Sequence, residues 1–201
     1  MGLSAMYPPT YRAQRHLTSF LQWRFSLLPP GSYRYVEDGP DAKESEISIG
    51  LDTPIDPVIL GQRPAVTILR GPAAFQGIGF NDLAGLNMND DTQSRLDMIP
   101  TTLMVNVLSE LPVEAERLAW FCADQIWTMR EEITRTEKCI HMIGARPTLS
   151  APTAAGALID STDHEWCVVV AAFPTYLVHS STKQPLNKPI LRDVEIRAEA
   201  E

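Results

Sequence analysis

Between Leu103 and Leu108 the apolar side chains Leu103, Val105 and Val107 alternate with Met104 and Asn106 before the run closes on Leu108. A period of two predicts a strand with at least one buried face. Ser109, Glu110 and Leu111 make a turn, and Pro112, with its fixed φ and no N–H, suits the first turn of a helix. Glu114 and Glu116 complement the positive end of that helix's dipole. From there the spacing changes to threes and fours. Ala115, Ala119, Cys122, Ile126, Met129 and Ile133 share one face, which leaves Glu116, Asp124, Arg130 and Glu131 for water. The stretch Met98–Glu132 therefore predicts a strand feeding one long amphipathic helix that lies on a sheet.

Other elements follow from the same pattern. Tyr11–Leu28 predicts an N-terminal helix, with Leu17, Phe20, Leu21, Arg24 and Leu28 on neighbouring turns and a stop at Pro29, Pro30 and Gly31. In Ser32–Asp56, Tyr33 and Tyr35, then Ile47, Ile49 and Leu51, recur at two-residue spacing around a polar Gly39–Ser45 turn, so two short strands joined by a loop are expected. Val66 and Ile68 mark a third strand within Arg63–Leu69. Gly71–Asp97 has no clean period; Gly77, Gly79, Gly85 and a polar run predict a long excursion. Lys138–Ile143 predicts a strand, Arg146–Ala157 an extended or looped Pro/Ala/Thr-rich segment, and Glu165–Val178 the last strong strand. Pro174 is expected to bend that strand or to place its later half on an edge. From His179 the chain turns polar, as a tail that is disordered or ordered by a neighbour would.

These elements predict an α+β fold: an antiparallel or mixed β-sheet packed against one long amphipathic helix, with an N-terminal helix and extended loops or arms. Residues 1–182 make a single domain with a long loop at 71–97, and residues 183–201 a polar C-terminal arm. The chain of 201 residues, 44% apolar and 21% charged, can bury a core and is not disordered throughout. Its longest apolar runs, such as Cys167–Phe173, fall far short of the roughly 20 residues that cross a bilayer. The N-terminal stretch has no continuous apolar segment ahead of a small-residue cleavage site, so a soluble protein made in the cytoplasm is expected.

A net charge of −8 argues against a surface built to neutralise phosphates. An acidic surface would instead repel DNA, which suits a passage through which DNA slides. Cys122, Cys139 and Cys167 are odd in number and lack framework spacing, so reduced thiols are expected rather than a disulfide scaffold.

Chemistry-bearing residues are sparse. Cys139, His141, His164 and Cys167 form a zinc-compatible ligand set, and Cys139 and His141 would share a face on a strand. Neither CxH nor HxxC is a recurrent zinc knuckle, which favours buried thiols and surface imidazoles. Asp160, Asp163 and His164 could contribute to a hydrolytic site, but no GxSxG elbow anchors a nucleophile. Gly77-Ile78-Gly79 lacks the third glycine of a dinucleotide fingerprint, and Asn87, Asn89, Asp90 and Asp91 lack the glycine and distal glutamate of a calcium loop. No metal, cofactor or catalytic residue is assigned. Trp120 and Trp127, seven apart, lie nearly above one another beside the apolar stripe. A second stripe is buried either within the fold or against another subunit, where aromatic anchors are favoured.

With the N-terminal helix, the strands, the Val113–Ile133 helix and the polar tail in place, the chain resembles the tail terminator and related tail-completion or neck proteins of tailed bacteriophages over Tyr11–Thr182. The resemblance implies a non-enzymatic virion protein. Its implied form is a homohexameric ring, assembled in the host cytoplasm, that ends tail-tube growth. The implied partners are the tube protein, neck, head-completion or connector proteins, and the sheath protein, with DNA passing the lumen unheld. The length of the 71–97 excursion and the proline-rich Arg146–Pro152 segment depart from that family and leave open terminator, neck connector or tail-completion subunit. Trp120 and Trp127 are the expected aromatic anchors, Arg117 and Arg130 charge partners between subunits, and Asp90 and Asp91 exposed loop acids. The alternatives are a small metal-dependent or hydrolytic enzyme using the residues around Asp160–Cys167, and a monomeric adaptor whose acidic tail binds a basic partner.

Overall fold

Pro9 opens the first helix, α1 (Pro9–Ser26), where its missing N–H costs nothing. A computed structural model describes residues 7–37, 44–51, 63–73, 76–77, 83–87, 92–158 and 166–183. Asp90, Asp91, Asp160, Asp163 and His164 fall outside these residues, as do residues 184–201. In α1 the buried stripe is Ala13, Leu17, Leu21 and Phe25, spaced by one turn each.

The strands are β1 (Ser48–Gly50), β2 (Ala65–Arg70), β3 (Gln76–Gly77), β4 (Leu83–Asn87), β5 (Thr92–Ser109), β6 (Ile140–Ile143), β7 (Thr148–Leu149), β8 (Thr153–Ala154) and β9 (Cys167–Lys183). The sheet order is β1-β2-β5-β9-β6; β3 and β4 also pair with β5, and β7 and β8 with β9. Only β1 and β2 run parallel among these pairings, so the sheet is mixed and the fold is α+β. Two helices follow β5: α2 (Pro112–Thr128) and the shorter α3 (Arg130–Thr136).

The β5–β9 ladder is the spine of the molecule. Leu103 faces Phe173, Val105 faces Ala171 and Val107 faces Val169, all buried on the side covered by the helices. Ala115, Leu118, Ala119, Cys122 and Ile126 of α2 close this core from above. A smaller cluster of Ala65, Leu108, Ala155, Trp166 and Val168 sits on the opposite face.

Four expectations need correction. The single long helix breaks at Met129, whose φ of −96° and ψ of 11° interrupt the helical run, although Ile133 is buried beyond it. Tyr33 and Tyr35 form no strand, because Tyr33 adopts φ +65° and turns the chain. This reversal is held instead by the Glu46 carboxylate, which accepts from the N–H of Gly31 at 2.5 Å and of Arg34 at 3.1 Å. The 71–97 excursion contains β3, β4 and the first turn-free residues of β5, so cross-strand pairing orders backbone that has no hydrophobic period. Arg146–Ala157 is extended as expected, and within it β7 and β8 add to one side of β9. The last strand does not stop at Val178 but runs on to Lys183, paired with β5 throughout.

Pro174 neither bends β9 out of the sheet nor displaces it. Its carbonyl accepts the Gly144 N–H at 2.8 Å on the side away from β5. In an antiparallel ladder the N–H and C=O of one residue point the same way, so the absent N–H also faces away from β5.

Candidate functional site

α2 has a different neighbour on each flank. On one side Trp120 and Trp127 project together, with Trp120 60% exposed and Trp127 half-buried against the main core. The segment after β6 rises opposite them, so Trp120, Ala123, Trp127, Pro147 and Leu149 wall a cleft of about 340 Å³ with Asp124 and Arg146 beside it. Arg130, at the start of α3, lies over the Trp127 indole at 4.4 Å from the ring centroid. Its Nη1 donates to the Trp127 carbonyl at 2.9 Å, and its Nη2 stands 3.5 Å from Glu131. Arg130 is therefore engaged within its own chain. A cation over an indole contributes about 0.5–1 kcal/mol at an exposed site, enough to hold the ring's orientation. The cleft is thus walled by apolar side chains, with one acid and one guanidinium at its side.

On the other flank Arg117 lies near Tyr33, whose hydroxyl donates to Glu114 at 2.9 Å. Burial, then the Glu114 carboxylate, raise the Tyr33 phenol above its ordinary value. Ser109 Oγ donates to the second Glu114 oxygen, so this one acid ties the end of β5 and the α1–β1 connection to the first turn of α2.

A third polar group joins distant parts of the chain. Arg12 Nη2 meets Glu137 at 2.5 Å, pinning the start of α1 to the end of α3. Cys139 Sγ donates to the Pro9 carbonyl at 3.5 Å. Burial opposes the Glu137 charge, but hydrogen bonds from Cys139 and the Arg12 and His16 charges outweigh it and hold the carboxyl below its usual range. Burial, then Glu137, push the Cys139 thiol up to about 12. Burial lowers His16 despite the nearby Glu137 carboxylate. This corner was illegible beforehand, since Arg12 and Glu137 are 125 positions apart.

The described members of the zinc-compatible set, Cys139, His141 and Cys167, are dispersed. Val178 N donates to the Cys139 carbonyl at 2.8 Å, which places Cys139 beside the far end of β9, whereas Cys167 begins that strand. Eleven residues of strand separate the two levels, about 36 Å at the usual rise, too far for one ion. Cys139 and His141 do not share a face either: Cys139 precedes β6 and is buried, and His141 is exposed. Among the described residues no group of three or more His, Cys, Asp or Glu side chains is placed to hold a metal.

The chain matches no protein-family model and no curated protein sequence.

Proposed function

We propose that the protein is a structural, non-catalytic virion subunit that self-assembles into a ring at the head-proximal end of a phage tail, ending tail-tube growth and joining the tail to the neck. The observation that carries this reading is the exposed aromatic flank of the principal helix, with Trp120 at 60% exposure beside a cleft walled by Trp127, Pro147 and Leu149. Aromatic side chains left at the surface beside an apolar recess serve best as anchors for a neighbouring subunit. The α+β plan of a sheet under a principal helix agrees with the resemblance, and the charge of −8 agrees with a lumen that DNA passes without being gripped.

The mechanism in this reading is geometric. A heterologous contact repeated by rotation closes into a ring, and a ring whose two faces differ binds the last tube ring on one side and a neck component on the other. Growth then stops because the upper face offers no further tube site.

Light scattering of the purified chain, with negative-stain imaging alone and with tail tubes added, tests the reading. A hollow ring, or a monomer that closes into a ring only on tubes, is the expected result. A compact monomer indifferent to tubes overturns it.

A further inference from the structure

The groove between α1 and the α2–α3 pair carries a second surface, distinct from the tryptophan cleft. α1 runs antiparallel to α2 and α3: Phe25 packs edge-on against Phe121 at 5.1 Å, Arg24 Nε donates to Gln125 at 2.8 Å, and Arg12 pairs with Glu137. The helices meet along most of α1, whose 18 residues span about 27 Å. Three recesses follow one another on the outer side. One of about 530 Å³ lies over Phe25, Leu28 and Phe121 with Arg117 at its side. The next, about 280 Å³, is lined by Phe20, Trp23 and Met129. The last, about 400 Å³, lies among Tyr7, Tyr11 and Arg15.

Two properties of this groove oppose the rest of the chain. Its charge is inverted: the recesses hold Arg12, Arg15 and Arg117 against Glu132 and Glu137, and among the described residues Arg15 and Arg117 make no ion pair, while the carboxylates of Glu132 and Glu137 are already matched by Arg135 and Arg12. Unmatched guanidinium groups on a chain of net charge −8 attract an anionic partner locally while the rest of the surface repels it. Its walls are also apolar where water reaches them, with Trp23 49% exposed beside Phe20 and Met129. Arg117 lies one helical turn from Phe121, and Arg15 ten residues from Phe25, which separates the two terminal cations by about 20 Å.

We infer that this groove is a docking site for an acidic polypeptide segment of a partner protein, which seats apolar side chains in the Phe25–Leu28–Phe121 and Phe20–Trp23 recesses and sets carboxylates on Arg117 and Arg15. The guanidinium fork receives a carboxylate bidentately, which fixes the segment's register, and the apolar recesses supply its affinity. Arg24 does not compete for it, because its guanidinium is occupied by Gln125 and lies 5.4 Å from the Trp23 ring.

The test is a calorimetric titration of the full chain with a synthetic peptide carrying Leu at helical spacing and Glu elsewhere, against the same peptide with Lys in place of Glu. The Glu peptide should bind and the Lys peptide should not. The double variant R15E/R117E, which alters only exposed side chains, should weaken the Glu peptide about tenfold or more and reverse the preference between the two peptides. No binding of the Glu peptide, or binding indifferent to the double variant, overturns the inference. A change in the wild-type oligomer mass caused by R15E/R117E would show that a second copy occupies the groove, and equal binding of a peptide of residues 190–201 would point to the chain's own acidic end. Either result overturns the partner assignment while leaving the ring reading to its own measurement.

Discussion

Thr102 lies directly opposite Pro174 in the long ladder between β5 and β9, and two residues further along Pro100 lies opposite Tyr176. Both prolines occupy positions whose backbone groups point away from the other strand. Gly71 N donates to the Thr102 carbonyl at 2.7 Å on the β2 side, and Gly144 N donates to the Pro174 carbonyl on the β6 side. The missing N–H of Pro100 faces the gap between the pairings of β2 and β3, and that of Pro174 the gap between those of β6 and β7. Two prolines are thereby carried inside the central pair of strands without a lost ladder bond.

This geometry makes a directional prediction. Pro174→Ala should change stability by less than about 1 kcal/mol, whereas Thr175→Pro, one residue on and pointing its N–H at β5, should cost about 3 kcal/mol or more. Urea denaturation followed by circular dichroism checks both.

Trp120 separates assembly from folding. Because its side chain is mostly exposed, Trp120→Ala should leave the denaturation midpoint within about 0.5 kcal/mol of wild type while weakening self-association. Trp127→Ala should lower both, since Trp127 packs on the main core and carries Arg130. Sedimentation velocity beside a denaturation curve would distinguish them, and loss of stability in Trp120→Ala would place that ring in the fold instead.

Acidification should destabilise the α1–α3 corner in two stages. His16 has its ordinary value near 6.5 in the unfolded chain and a lowered one in the fold, so below that pH the unfolded state takes up the proton first and stability falls. Glu137 is held below its ordinary value of 4.5, so its contribution is full above that pH and is lost as pH falls through the lower folded value. His16→Gln should flatten the upper stage alone. Denaturation midpoints measured from pH 8 to pH 4 give the profile, and an unchanged upper stage in the variant would reject this origin.

The three thiols should differ in reactivity. Cys122 is fully buried and its thiol is pushed up to about 12 by that burial, and Cys139 is also raised to about 12, whereas Cys167 is only partly buried. Native protein treated with a thiol reagent near neutral pH should react first at Cys167, with Cys122 and Cys139 following only on unfolding. Fast labelling of Cys122 would contradict the packing of α2.

Local periodicity was enough to recognise the elements that bury one face. The alternation of Leu103, Val105 and Val107 and the stripe of Ala115, Ala119, Cys122 and Ile126 state their secondary structure and their inner side, because burial acts on each position separately. The two tryptophans on one flank of α2 were equally legible, since helical geometry alone places residues seven apart together. Where the pattern was silent, the tertiary structure decided. β4 and the outer part of β5 are strands because a neighbouring strand takes up their backbone groups, which leaves no hydrophobic signature. Tyr33 alternates like a strand residue yet turns the chain, because Glu46 gathers the backbone N–H groups of the reversal. Arg12 meets Glu137, and Cys139 is parted from Cys167, only once β9 is laid along β5 and α1 is laid against α3. The sequence by itself determined which faces are apolar, a property of each residue and its near neighbours. Which surfaces remain uncovered, and which charges remain unmatched in the α1–α2 groove, depends on distant segments arriving together, and only the folded chain decides that.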